Sequence, residues 1–293
     1  MRISASQTYR AQIEAMRRKG KDSFEAQKTA ATGRRLLTPS DDPAGMQRTN
    51  LLRAMRSDLE VGRKKISIAN GELNASDHAL GSMTSALSRL RELAVQMASD
   101  TMGAPERNAA AAEVSQIRST LISLGNSKHG DKRLFAGQLT DTDPFQADGT
   151  YVGNSVGVSV TLADVTTVQV TIAGDQLLSG ASGGPDILTD VDAFATALAA
   201  NDSVGIQQAL TDLDAAIEHV VDQRSLVGAR MNIASRMDLH FDSAEIGLIE
   251  EISEIEEADP VQAFSDVIRT QQAFEQAMQV SVASRTQNIF QML

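Results

Sequence analysis

Apolar residues recur every seven positions in two separate parts of the chain. One stripe runs Leu52, Leu59, Ile66, Leu73, Leu80, Leu87 and Ala94. A second, three residues on, runs Met55, Gly62, Ala69, Ser76, Met83, Leu90 and Met97. Stripes offset by three and four residues make one continuous seam on a helix. The spacing predicts a helix over about 44–99, some ~80 Å long at ~1.5 Å per residue. Its seam is thin at Gly62, Ala69 and Ser76, where a partner helix has room to approach closely. The second region mirrors the first with Ile206, Leu213, Val220, Val227, Ala234, Phe241, Leu248 and Ile255. Between them lie Leu210, Ile217, Arg224, Met231, Asp238, Glu245 and Ile252, a stripe with three polar members. Polar residues inside a seam fix register at a cost in stability. The expected bundle core is therefore Leu52, Leu59, Ile66, Leu73, Leu80 and Leu87 against Leu213, Val220, Val227, Phe241 and Leu248.

The stretch between the two regions is different in kind. A shorter helix opens near Pro105, a favoured first-turn residue, and runs through Val114, Ile117, Leu121 and Leu124 until Gly125 and Asn126 stop it. From about residue 134 the helical seam vanishes. Residues 156–162 and 165–172 alternate β-branched and polar side chains, a strand signal, with glycines marking turns. SGASGGP at 179–185 reads as a flexible connection. The expected fold is mainly α: a long antiparallel helical coiled-coil bundle formed by N- and C-terminal arms, with a small projecting β-rich insert. The bundle takes residues 44–133 and 186–257, and the insert 134–185. Asp42 followed by Pro43 fits an N-cap with proline in the first helical position.

The ends carry thinner stripes. After Pro260 the positions are Phe264, Ile268, Gln271, Met278, Val282, Ile289 and Met292; at the front they are Ile3, Ile13, Met16 and Phe24. Both ends are rich in Gln, Ser and Ala, and neither would hold a helix alone in water. Residues 1–43 and 258–293 are thus expected to order only against a partner.

Charge adds a second asymmetry. The net charge of −11 divides into 15 Lys/Arg against 7 Asp/Glu over residues 1–65, and 12 against 31 over the rest. Residues 242–259 hold eight acids and no Lys or Arg. The basic front and the acidic segment are placed to attract each other, within one chain or between chains; the alternative is two solvated helix faces. Overall acidity argues against a general nucleic-acid partner. No run of ~18 apolar residues exists, so no membrane insertion is expected, and the first residues lack the apolar stretch of a cleaved signal peptide.

Catalytic chemistry is poorly supplied. With no Cys there is no thiolate site or thiol nucleophile. His78, His129, His219 and His240 are scattered, and no HExxH occurs. The acids around Ile252 and Ile255 read as a solvated or partner-facing surface. No catalytic, cofactor or metal site is expected, and the reading is of a structural protein rather than an enzyme.

Several segments then carry a resemblance. TGRRLLTPSDDPAGMQR at 32–48, LSRLRELAVQMASD at 87–100, RLFAGQLTDTDPF at 133–145 and the ADP…Q-AF-QAM…F-ML layout at 258–293 are similar, in that order, to the flagellar hook-associated protein 3 group of the flagellin-like family. The resemblance implies a bacterial flagellar structural protein, a ring of copies at the hook–filament junction. Hook-associated protein 1 would lie on the hook side and flagellin on the filament side. It implies type III export without a cleaved signal, an extracellular location and an export chaperone at the C-terminal region. Ile3, Ile13, Met16, Ile268, Met278, Val282, Ile289 and Met292 would then line an inner tube. The alternatives are a minor flagellin-type filament subunit and a non-flagellar coiled-coil adaptor.

Overall fold

A computed structural model of the chain describes residues 5–161, 167–180 and 183–290. The helices are α1 (Ala5–Thr32), α2 (Pro43–Met97), α3 (Ala104–Gly125), α4 (Gly174–Leu178), α5 (Ile187–Ala199), α6 (Ser203–Glu256) and α7 (Pro260–Phe290). Between α3 and α4 lie two antiparallel hairpins: β1 (Lys128–His129) with β2 (Lys132–Arg133), and β3 (Ser159–Thr161) with β4 (Thr167–Gln169). A mainly helical chain with a small β insert is what the periodicity predicts. The chain forms two compact units, Met1–Asp58 with Ala244–Leu293, and Leu59–Ser243.

In the larger unit the seam residues of α2 and α6 form the core. Ile66, Leu73, Leu80 and Leu87 are buried, as are Leu213, Val220, Val227 and Phe241, while Leu59 is half-buried. The helices run antiparallel, as their cross-pairs show. The Arg224 guanidinium donates to both carboxylate oxygens of Asp77 at 2.7 and 3.2 Å, the Arg91 guanidinium reaches Asp214, and the Arg63 Nη2 lies 2.8 Å from Asp242. Arg224 and Asp238, polar members of the seam by spacing, sit at its margin and pair across it. Charge-assisted bonds at fixed positions hold the register. The thin part of the seam is a close approach: a Cβ on Gly62 would stand 2.4 Å from Cε2 of Phe241, so the glycine makes room for the ring.

α3 and α5 complete this core with Val114, Leu121, Val191, Phe194 and Leu198, all buried. The sequence reading runs the second arm from residue 186 and does not separate α5 from α6. The break is made by Asn201, whose φ of 54° ends α5, and by Asp202, whose carboxylate accepts from the Val204 N–H at 3.0 Å. Asparagine tolerates the left-handed region because its short amide bonds locally. The buried Arg107 guanidinium secures that corner, donating to the Asn201 Oδ1 at 2.6 Å and to the Met97 carbonyl at 3.1 Å.

The β3–β4 hairpin is shorter than the alternating pattern predicts, and residues 162–166 lie outside the described residues. Val160 opposes Val168, and both pack with Ile66, Ala234 and Phe241, so this hairpin lies along α2 and α6. A second part of the insert is built around Phe145. Its backbone is clamped by the Asn126 side chain, which donates to the Phe145 carbonyl at 2.8 Å and accepts from its N–H at 2.9 Å. The ring meets Tyr151 at 5.2 Å in a tilted pair.

Tyr151 titrates late. Burial first, then the nearby Asp175 charge, disfavours tyrosinate and pushes its pKa up to about 12. Because the folded value lies above the unfolded ~10, the fold is stable below pH 10 and loses stability as pH rises past it. Absorbance titration of the chain and of Tyr151→Phe is expected to assign a wave near pH 12 to this residue. A difference wave near pH 10 would mean the ring is solvated.

Candidate assembly surface

The smaller unit carries the terminal segments. Asp42 caps α2 as expected: its carboxylate accepts from the Gly45 N–H at 2.9 Å, and Pro43 takes the first helical position. Asp41 tightens the preceding turn. It accepts from the N–H groups of Leu37 and Thr38 and the Thr38 hydroxyl, which hold its carboxyl below the usual range. Leu52 is buried, and Leu248 is half-buried.

The links on either side of this start are tied together. The Arg35 N–H donates to the Glu256 carbonyl at 2.7 Å, and the Ala258 N–H to the Gly33 carbonyl at 2.9 Å. Arg34 and Glu257 form an isolated antiparallel bridge. Glu256 is 4% exposed, and its carboxylate is held by the Arg53 guanidinium at 2.5 Å. Periodicity does not reveal this clasp, because it is built from backbone groups and one cross-helix ion pair. Arg48 with Glu251 adds a further basic-to-acidic pair in the same unit. Part of the charge asymmetry is therefore neutralised within the chain.

α1 and α7 pack as a pair. The fit at their contact is close, since a Cβ on Gly20 would stand 3.1 Å from the Phe274 ring. Gly20 lies against Phe274, and Ala26 and Thr29 share a groove with Ala263, Asp266 and Thr270, so the two helices run antiparallel. α7 has two stripes at three- and four-residue spacing. The sheltered one is Ala263, Val267, Thr270, Phe274 and Ala277, buried or half-buried and mostly small. The exposed one is Val261, Phe264, Ile268, Met278 and Val282, with Gln271 and Glu275 between. Val261 is 77% exposed, Phe264 62%, Ile268 60% and Val282 64%. On α1, Phe24 is 66% exposed, while Ile13 and Met16 are half-buried.

Of the residues expected to line an inner tube, the structure places Ile13 and Met16 on α1 and Ile268, Met278 and Val282 on α7. The three on α7 share its exposed side. Ile3 and Met292 lie outside the described residues, as does the side chain of Ile289. Val261 and Val280 also stand exposed; Val261 extends the same spacing to the first turn after Pro260 and was legible there. Isolated apolar residues on a surface are ordinary, but a row of large ones along one helix marks an interaction site. Among the described residues no three His, Cys, Asp or Glu side chains gather as metal ligands, and no helix is long and apolar enough to cross a membrane.

Comparison with known proteins bears on the whole chain. Residues 3–140 match the bacterial flagellin N-terminal helical region. Flagellar hook-associated protein 3 of Escherichia coli strain K12 is 22% identical over 100% of this chain and 99% of its own length. A Listeria monocytogenes flagellin is 26% identical over 87% of this chain and 86% of its own. The crystal structure of Bacillus cereus FlgL shares the fold, with a TM-score of 0.62 at 21% identity over 69% of this chain and 99% of that one. Residues 3–140 are thus similar to the flagellin N-terminal helical region, and the chain along its whole length is similar to flagellar hook-associated protein 3.

Proposed function

We propose that the chain is a structural subunit of the bacterial flagellum that joins the hook to the filament as a ring of copies. The exposed apolar stripe of α7 carries this reading. Several large apolar side chains face outward on the side away from α1, an arrangement that leaves stabilisation to be gained only when another chain covers it. Burial of each such side chain contributes roughly 1.5–3 kcal/mol. In this reading α1 and α7 form the inner layer, the α2–α6 pair the next, and residues 134–185 the outer part. A hook-associated protein lies below and flagellin above. The protein works outside the cell after export without a cleaved signal, and a chaperone shields the C-terminal stripe beforehand. The full-length match to a hook-associated protein supports the junction.

Immunogold labelling of intact flagella tests it. A single band at the hook–filament boundary is expected. Label along the filament would make the chain a minor flagellin, the reading favoured by the Listeria flagellin match. Cytoplasmic label alone would remove both.

A further inference from the structure

Two exposed helix faces of the smaller unit carry opposite charge, Lys21 of the first also pairing with Glu25 one turn on at 3.5 Å. On α1, Arg10, Arg17, Lys21 and Lys28 recur at intervals of seven, four and seven residues. At about 100° per residue they lie within about 40° of one line. The row lies away from the side sheltered by α7, and Phe24, 66% exposed, stands beside it at the lip of the groove that Gly20, Ser23 and Gln27 form with Gln271 and Phe274 of α7. On α6, Ile246, Glu250 and Glu254 recur every four residues on the side opposite the seam, which carries Leu248, Ile252 and Ile255. Ile246 is 59% exposed. Arg10, Arg17, Lys28, Glu250 and Glu254 form no ion pair among the described residues.

We infer that the α1 face of one copy docks on the α6 face of the next, Arg17, Lys21 and Lys28 against Glu250 and Glu254, with Phe24 and Ile246 at the edges of the patch. The inference rests on the reading of a ring of copies and deepens it by naming the two faces. The occupant is a second copy because each face finds its complement in charge and apolar edge on the same chain. A two-fold contact centred on one of these faces would set like charge against like. A head-to-tail contact pairs opposite charges and closes into a ring when its rotation allows. Copies with a net charge of −11 repel at long range, so the local complement selects the register of approach.

Charge exchange tests this in cells lacking the native protein and supplied with variants. Glu250→Lys with Glu254→Lys, and separately Arg17→Glu with Lys21→Glu, are each expected to cut the fraction of filament-bearing cells at least tenfold. All four changes together are expected to restore it. Unchanged filament numbers with either pair alone would overturn the inference. Should the fourfold variant fail to restore, a second measurement decides. The chain has no cysteine, so Lys21→Cys with Glu254→Cys allows oxidation of isolated flagella. A ladder at multiples of the 31.3 kDa chain is expected. Monomer only, or an adduct with a different flagellar protein, would overturn it. Junction labelling of the unaltered protein is independent of these variants, so a failed docking contact and a failed junction assignment give different results.

Discussion

Replacing Ile268 by Asp is expected to abolish attachment of filaments while leaving the helical fold intact. Ile268 is 60% exposed at the middle of the outer stripe of α7. In the isolated chain the substitution removes little burial, so the far-UV circular dichroism and urea midpoint of the purified protein should stay within about 0.5 kcal/mol of the original. In an assembly each copy would lose roughly 1.5–3 kcal/mol of apolar burial and would bring a carboxylate into a covered surface, at several kcal/mol more. The loss recurs in every copy of a ring. Swimming should cease, and flagellin should appear in the medium instead of on the cell. Wild-type swimming with Ile268→Asp would show that this face stays in water and would remove the assembly surface proposed for α7. A drop in the urea midpoint would instead place Ile268 inside the monomer's own core.

Phe145→Ala is expected to act in the opposite place, on the fold and not on the surface. The ring is 2% exposed, and Gly125 and Gly174 leave the room it fills: a Cβ on either would stand 2.7 Å from a ring carbon. Truncation leaves a cavity bounded by backbone that cannot collapse easily, at a cost of about 3–5 kcal/mol. The Tyr151 ring pairing is lost with it. The measurement is the urea midpoint of the purified chain followed by circular dichroism. A loss under about 1 kcal/mol would mean that the insert packs loosely against α3. Filament attachment should suffer only as far as stability does, which separates this variant from Ile268→Asp.

The long elements were legible because they repeat. Seven-residue spacing from Leu52 to Met97 fixes both the type of α2 and the face it buries, and Ile66, Leu73, Leu80 and Leu87 are buried as the spacing requires. A helix signal accumulates over many turns, so a few polar interruptions such as Arg224 do not erase it. Pro43, Pro105 and Pro260 marked helix starts for the same local reason, a fixed φ and an absent donor. Short elements accumulate no such signal. The hairpins have two or three residues per strand, and α5 is separated from α6 by a three-residue break around the left-handed Asn201.

What the sequence determined by itself is the long helices, the buried faces of α2 and α6, the small β insert, and the excess of basic residues at one end and acidic ones near the other. What only the tertiary structure decided is which apolar stripe of each terminal helix is satisfied within the chain. Spacing alone gives α7 one stripe through Phe264, Ile268 and Val282 and another through Val267 and Phe274, both at helical intervals. Packing against α1 selects the second, where Gly20 makes room for the Phe274 ring, and leaves the first exposed. The clasp of Arg53 on Glu256 is likewise tertiary, since residues 203 positions apart become partners only once α2 and α6 are aligned. Periodicity is a property of a single helix. The side that meets a partner depends on where close approach is possible, and that is settled by shape in three dimensions.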